Sequence, residues 1–341
     1  MKIHPETAST QEDRSILEKI EPQLLLFRFF ECAIVDWNME NEIFESLSDQ
    51  GIGPKLYYQN DVYRIEGFFL SRPLTIFEMR NDIFMEVYAR KICDFNHNQK
   101  ARERVLKYLP IDKLYVDENI EKWLPELIVK MPELKEAYKA HPDILQILAH
   151  FEKTFLFEGC QEFYRKLVPR DSEIVLAHND AQENNILASL EDATEVIFID
   201  FEYTGWNPRG MDIANYFSET MLDNAHPLKK GIKYYIKNFI KDHEQEFLIK
   251  HYLSHYYWNF KPLKEGEARS KEGEEAYLAS EYPIFLEEVR KCLLLNNFFW
   301  AIWSLRMLKP EKLGDPEVFN FDFAEARIAM YEHISKLYFT K

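Results

Sequence analysis

The pattern of hydrophobic and polar positions is rich in short strands up to about residue 70 and mainly helical beyond it. Residues 24–35, LLLFRFFECAIV, predict an apolar strand. A helical stripe with Met39, Ile43, Phe44 and Leu47 on one face follows over 36–49. Two short strands are expected over 55–58 and 62–69, separated by a turn at 59–61. Residues 1–70 are therefore predicted to form a small β-rich lobe with one helix.

The pattern from Thr75 onward is mainly helical, and residues 71–341 are predicted to form a second, larger lobe. A β-like section over 174–201 interrupts the helices and predicts a hairpin that presents loops. The charged stretch 261–277 is predicted to be a solvated loop. The expected helices cover roughly 82–96, 117–129, 142–167, 209–222, 245–258, 275–308 and 321–338.

Composition and charge exclude several classes of protein. The 341 residues are 46% hydrophobic, which is enough for a sizeable core, and 10 glycines favour a helix-rich chain. A net charge of −16 argues against non-specific nucleic-acid binding and against docking on an anionic membrane.

The four cysteines and the apolar runs bear on the compartment. Cys32, Cys93, Cys160 and Cys292 are far apart, which predicts reduced thiols rather than disulfides or a zinc site. The N-terminal residues resemble no secretion signal, and no run of 18 apolar residues predicts stable membrane insertion. A cytoplasmic location is expected.

The segment that indicates chemistry is HNDAQENN, residues 178–185, followed by VIFID, which ends at Asp200. Phosphoryl transfer needs a carboxylate beside the attacking hydroxyl, and oxygen ligands that hold Mg²⁺ against the phosphates. The layout D-x-x-x-x-N with a later Asp at a strand end fits Asp180 as base and Asn185 and Asp200 as magnesium ligands. The alternative is that Asp180 and Asn185 only cap or turn a loop.

The stretch LAHNDAQENNIL…VIFIDFEYTGWNPRGMDIANYFSE resembles the choline/ethanolamine kinase family, and IDFEY looks more like its choline kinase branch. GIGPKLYY (51–58), RIEGFFLSRPL (64–74) and FFWAIWSL (298–305) are similar to further family segments in the same order. The resemblance implies an α+β, two-lobed protein-kinase-like fold, and the use of ATP and Mg²⁺.

The same resemblance assigns roles in the larger lobe. It implies that Asp180 is the catalytic aspartate and that Asn185 and Asp200 bind magnesium, with His178 and Asp212 in structural support. For the acceptor pocket it implies polar residues and an aromatic group that suits a quaternary ammonium, which has no N–H to donate. These substrate-binding residues are Gln182, Glu202, Tyr203, Glu219, Trp300, Trp303 and Phe323. Core packing is the alternative for the two tryptophans.

In the smaller lobe, Arg28 interrupts an apolar strand and needs water or a partner. Glu40 is the predicted partner, and the resemblance makes the two a phosphate-contacting pair. The alternative is an edge arginine that faces solvent. Backbone groups of Glu66, Gly67, Phe68 and Phe69 are expected to bind adenine. The segment before Arg28 lacks the family's glycines, although Ser9, Thr10 and Ser15 offer hydroxyls.

The resulting hypothesis is a choline kinase that makes phosphocholine for phospholipid synthesis. Asn224 stands where choline kinases tend to have an aromatic residue, so an ethanolamine kinase or a dual enzyme is a close rival. A catalytically weak pseudokinase or binding protein is a second rival, and an aminoglycoside kinase a third. Many relatives are dimers, so a homodimer is a possible assembly.

Overall fold

A computed structural model describes residues 24–30, 37–192, 194–224, 232–308 and 319–339. Within these ranges, no helix combines the length and the apolar character needed to cross a membrane. The glycine-free segment with Ser9, Thr10 and Ser15 lies outside the described residues, as does Cys32.

The first sheet is antiparallel and has the order β1–β3–β2, with β1 at Leu25–Phe29, β2 at Leu56–Gln59 and β3 at Tyr63–Gly67. Helix α1, Trp37–Ser48, buries Ile43, Phe44 and Leu47. The predicted strand over 24–35 is confirmed for its first part, and residues 31–36 lie outside the description.

The larger part of the chain is mainly helical, as predicted. The short helix Tyr115–Glu118 and a π-helical turn at Asn119–Trp123 lead into the helix Leu124–Ala137, so the helical element predicted at 117–129 extends to Ala137. The helices are α2 (Asp82–Asn96), α3 (Gln99–Val105), α4 (Tyr115–Glu118), α5 (Leu124–Ala137), α6 (Pro142–Phe155), α7 (Cys160–Leu167), α8 (Gly210–Glu219), α9 (Asp242–Asn259), α10 (Lys271–Arg306) and α11 (Phe319–Tyr338).

One further helix and one loop also differ from their predicted extents. The helix expected over 142–167 is two helices, because Gly159 has a φ of 79° and turns the chain between them. The loop expected over 261–277 ends at Ser270, whose side chain accepts a hydrogen bond from the Gly273 amide and caps α10.

The β-section around the site is divided between two small sheets. Strand β5 (Ile174–Ala177) pairs with β8 (Gly205–Pro208), a strand that the sequence did not predict. Strand β6 (Ile186–Ser189) forms the expected hairpin with β7 (Val196–Phe198) and also pairs with β4 (Ser71–Pro73). Two further short strands, β9 (Leu222–Asp223) and β10 (Lys233–Tyr234), pair with each other.

The turn after α1 packs directly on this β-section. A Cβ on Gly53 would lie 3.2 Å from the Phe201 ring, so the close approach favours glycine. The Phe198 amide donates to the Ile52 carbonyl at 2.9 Å. The first sheet and α1 are thereby held against the strand that leads to Asp200.

Candidate active site

Asp212, in the first turn of α8, holds the loop that follows β5. Its fully buried carboxylate accepts hydrogen bonds from the amides of His178 at 3.0 Å and Asn179 at 2.8 Å, and from Asn96 Nδ2 at 2.7 Å. Burial raises the pKa of Asp212, and these N–H donors oppose the rise because they favour the carboxylate. These contacts support the structural role predicted for Asp212, which remains a prediction.

The His178 ring connects the two loops that carry the predicted chemistry. Its Nε2 lies 3.1 Å from the Ile199 carbonyl, and its Nδ1 lies 3.3 Å from the Asp180 amide. Burial lowers the pKa of His178, and the neutral tautomer with hydrogen on Nε2 satisfies both contacts. His178 therefore fixes Asp180 relative to the residue before Asp200.

Two non-glycine residues of the site have left-handed backbone conformations, which side chains disfavour: Asn179, with a φ of 66°, and Asp200, with a φ of 60°. Asn179 is held by its side chain, which donates to the Tyr203 carbonyl and accepts from Asn207 Nδ2, each at 2.8 Å. Such strain is stored where surrounding contacts enforce it, and it is concentrated at functional sites.

Asp180 and Asn185 are in direct contact. Asn185 Nδ2 donates to the backbone oxygen and to Oδ2 of Asp180, both at 2.9 Å. Desolvation raises the pKa of Asp180 well above its usual range, and Glu219 adds to the rise, while the Arg327 cation opposes it. A general base works best with a pKa near the operating pH, and the rise moves the pKa of Asp180 in that direction.

Asn185 and Asp200 fit the requirements of Mg²⁺. Because Asn185 uses its side-chain nitrogen toward Asp180, its side-chain oxygen Oδ1 is the atom suited to a metal. The Ile199 amide donates to the backbone carbonyl of Asn185 at 3.1 Å, which brings Asp200, the next residue, close to Asn185; the Asp200 side chain is 43% exposed. Within the described ranges no three His, Cys, Asp or Glu residues cluster as a metal site. Mg²⁺ in kinases needs only one or two protein oxygen ligands beside the phosphates.

The expected ion pair between Arg28 and Glu40 was wrong. Arg64 stands opposite Arg28 in the β1–β3 register, and its Nη1 binds Glu40 Oε2 at 2.5 Å. Arg28 instead donates to Glu66 Oε1 at 3.1 Å and lies 3.4 Å from Asp200 Oδ1. Arg64 is only 1% exposed and needs the buried partner more than an edge arginine does. The position of Arg64 inside a predicted strand, two residues before Glu66, was the feature of the sequence that could have indicated this ion pair.

The predicted hinge residues are partly committed to the fold. The Gly67 amide donates to the Lys55 carbonyl at 2.7 Å, and the Phe68 amide donates to the Leu24 carbonyl at 2.9 Å. Adenine recognition by these two residues would therefore use groups other than their N–H. Gly67, Phe68 and Phe69 line a cavity of about 240 Å³.

A separate cavity of about 210 Å³ brings the predicted acceptor residues together with Asp180; we call it the head cavity. The Trp300 and Trp303 ring centroids are 5.4 Å apart, and Tyr203 and Phe323 lie within 6.5 Å of both. Its lining consists of Asp180, Gln182, Glu202, Tyr203, Glu219, Asn224, Trp300, Trp303, Phe323 and Arg327.

Arg327 was missed from the sequence, and it changes the charge of this cavity. Its Nη2 donates to Glu219 Oε1 at 2.5 Å, and both side chains are 2% exposed. Its guanidinium lies 4.6 Å from the Phe323 centroid and 5.9 Å from that of Trp300. Glu219 therefore supplies less free negative charge than expected. The four-residue spacing from Phe323 on one helix face could have identified Arg327.

Asn224 adds hydrogen-bonding groups to the lining of the head cavity. Its Nδ2 donates to Gln182 Oε1 at 2.9 Å and to Glu183 Oε2 at 3.1 Å, and its amide donates to Glu183 Oε1 at 2.9 Å. Desolvation and the nearby Glu219 raise the pKa of Glu183 to about 8. The head cavity is thus lined by both aromatic rings and hydrogen-bonding groups.

Comparison with known proteins decides the family. The sequence model described as Choline/ethanolamine kinase matches residues 8–332. The chain belongs to the choline/ethanolamine kinase family. It is therefore an ATP-dependent phosphotransferase that acts on an alcohol.

Individual relatives of this kinase carry both substrate names. A human choline/ethanolamine kinase is 27% identical over 91% of this chain and 72% of its own length. A choline kinase of Cryptosporidium parvum superposes with a TM-score of 0.65 at 22% identity, covering 92% of this chain and 82% of that one. A Plasmodium vivax ethanolamine kinase superposes with a TM-score of 0.58 at 19% sequence identity, covering 91% of this chain and 76% of its own. These structures confirm the two-lobed protein-kinase-like fold.

Proposed function

We propose that this kinase transfers the γ-phosphate of ATP to the hydroxyl of choline, giving phosphocholine and ADP. The observation that carries the proposal is that Asp180 and the rings of Tyr203, Trp300, Trp303 and Phe323 line one cavity. Ring faces attract a quaternary ammonium that no hydrogen bond can reach. A cation among the rings would place its short alcohol arm within reach of Asp180.

Each polar residue has a defined task in this proposal. Asp180 orients the hydroxyl and takes its proton as the oxygen attacks the γ-phosphorus and the bond to ADP breaks. Asn185 and Asp200 would hold Mg²⁺, which neutralises phosphate charge when it is bound. Arg28, beside Asp200, is positioned to meet a phosphate. His178 and Asp212 keep the loop in register.

Ethanolamine is the second candidate acceptor, and the polar groups of the head cavity support it. A primary ammonium can donate hydrogen bonds, and Gln182, Asn224 and Glu219 bring side-chain oxygen atoms to the lining of the head cavity. A dual enzyme would use the rings for choline and these polar groups for ethanolamine.

The test is a coupled ADP-release assay with choline, ethanolamine, an aminoglycoside and no acceptor. We expect choline turnover that falls at least about a thousandfold in Asp180→Ala, in line with the loss of a positioned base and its charge. A kcat/KM for ethanolamine tenfold or more above that for choline would refute the choline assignment. Turnover unchanged in Asp180→Ala would refute the assigned base.

A further inference from the structure

Glu183 is a buried carboxyl group beside the head cavity, and it has no part in the proposed phosphate transfer. It lies between Asp180 and Asn185 in the loop that follows β5, and it is 3% exposed. Its oxygen atoms accept hydrogen bonds from the Asn224 amide at 2.9 Å and from Asn224 Nδ2 at 3.1 Å. Because N–H donors stabilise a buried carboxylate, Glu183 ties the residue that follows β9 to this loop.

The Glu183 carboxylate sets the direction of the hydrogen bonds around it. An ionised carboxyl group can only accept, whereas the side-chain amide of Asn or Gln can present either its oxygen or its NH₂ group. Facing Glu183, Asn224 therefore presents Nδ2, which also donates to Gln182 Oε1 at 2.9 Å. Asn184 Nδ2 lies 3.3 Å from the same Gln182 oxygen and 3.4 Å from Glu183 Oε1. One orientation of the two amides thus follows from the carboxylate.

This orientation leaves the side-chain oxygen of Asn224 for a ligand. Among the described residues, each hydrogen bond of Asn224 uses an N–H group as the donor, including the 3.5 Å contact with Glu219 Oε2. Gln182 Oε1 already accepts from Asn224, and Glu219 Oε1 accepts from Arg327. Asn224 lines the head cavity, so its Oδ1 is the acceptor best suited to an N–H group of the substrate.

The candidate acceptors differ in the group that this oxygen would recognise. Protonated ethanolamine and N,N-dimethylethanolamine both have an N–H to donate, and choline has none. A hydrogen bond from a charged donor changes affinity roughly tenfold or more. The state of the Asn224 amide should therefore affect the two amines and leave choline nearly untouched.

We propose that Glu183 determines acceptor specificity by holding the Asn224 amide with Oδ1 toward the substrate ammonium. Glu183 acts through Asn224 and is a positioning residue, and the substrate class that it favours is an amino alcohol that keeps an N–H. This inference rests on the proposed function and concerns the same site.

The experiment measures kcat/KM for choline, N,N-dimethylethanolamine and ethanolamine, using the full chain with ATP and Mg²⁺. Glu183→Gln keeps the shape of the side chain but adds a donor, which allows the Asn224 amide to turn over and present Nδ2 to the substrate. We expect the values for both amines to fall at least tenfold, while the value for choline stays within threefold. Burial raises the pKa of Glu183 to about 8, so the assay is run at pH 8.5, where the carboxylate predominates.

Two further variants accompany this one. Asn224→Ala removes Oδ1 and leaves Glu183 in place, and we expect the same selective loss of both amines; it decides the question if Glu183→Gln does not fold. Glu191→Gln is the matched control, because it makes the same chemical change at an exposed residue that does not line the head cavity. It should leave all three values unchanged.

The possible results separate this inference from the proposed function. An equal fall for all three acceptors in Glu183→Gln, or no fall for any, overturns the inference and leaves the proposed function standing. An unaltered enzyme that accepts choline but neither amine has the same meaning. Turnover of the amines without choline, with the expected loss in Glu183→Gln, refutes the choline assignment and supports the inference. No turnover of any acceptor overturns both.

Discussion

Removal of the Arg327 cation tests the buried ion pair beneath the head cavity. Arg327→Met keeps much of the side-chain volume and leaves the carboxylate of Glu219, whose side chain is 2% exposed, without its partner. Breaking a buried pair in this way costs about 3–5 kcal/mol, because the remaining charge is neither solvated nor paired. With an unfolding entropy of about 2.1 cal/mol/K per residue, 341 residues give about 0.7 kcal/mol per degree. The expected fall in Tm is therefore about 4–7 °C.

Urea unfolding of the single and double variants gives the free energies directly. Glu219→Gln in the Arg327→Met background removes the stranded charge, so we expect it to recover about 2 kcal/mol or more. Arg165→Met is the matched control, since it breaks an exposed pair with Glu121 and should cost less than about 1 kcal/mol. A loss below about 1 kcal/mol in Arg327→Met, or strictly additive effects in the double variant, would refute the reasoning.

Three further outcomes are expected. Asp212→Asn replaces one acceptor oxygen by a donor that faces N–H groups, so kcat should fall at least about tenfold with KM for ATP nearly unchanged; steady-state kinetics check this. Burial lowers the pKa of His97 to about 3, so below pH 6.5 the unfolded chain binds a proton that the folded protein does not, and the protein becomes less stable as the pH is lowered. Urea unfolding at pH 7.5 and at pH 5.5 measures the free energy of unfolding that is lost between the two. His97→Gln should lose about 1.4 kcal/mol less of it than the unaltered protein. Asn224→Tyr adds a ring to the head cavity and should raise the choline-to-ethanolamine ratio of kcat/KM roughly 3- to 30-fold, which a two-substrate assay measures.

The sequence predicted the elements whose periodicity is strong. Helices such as Asp82–Asn96 were located to the residue, since an uninterrupted apolar stripe and Asn81 as N-cap define them. Element boundaries that a single residue determines were not predicted, as at Gly159 and Ser270. Strand β8 was missed because GWNP has no alternating pattern and forms only by pairing with β5.

The site residues divide in the same way. Asp180, Asn185 and Asp200 occur in a short motif, and the structure brings them together as the motif suggests. The roles assigned to them remain predictions. The partners of Arg28 and Glu219 could not be predicted, because Arg64 and Arg327 compete for carboxylates across distances that no local pattern encodes.

The left-handed backbone at Asp200 has a consequence for how this position can evolve. An L residue there costs roughly 1–2 kcal/mol relative to a conformation that it prefers, and glycine would avoid that cost. Asp200→Gly would also relieve carboxylate repulsion, since Asp200 raises the pKa of Glu202. The substitution would also end the 3.4 Å contact between Asp200 and Arg28. The proposed role of Asp200 as a magnesium ligand would explain why this strained position carries an aspartate and not a glycine.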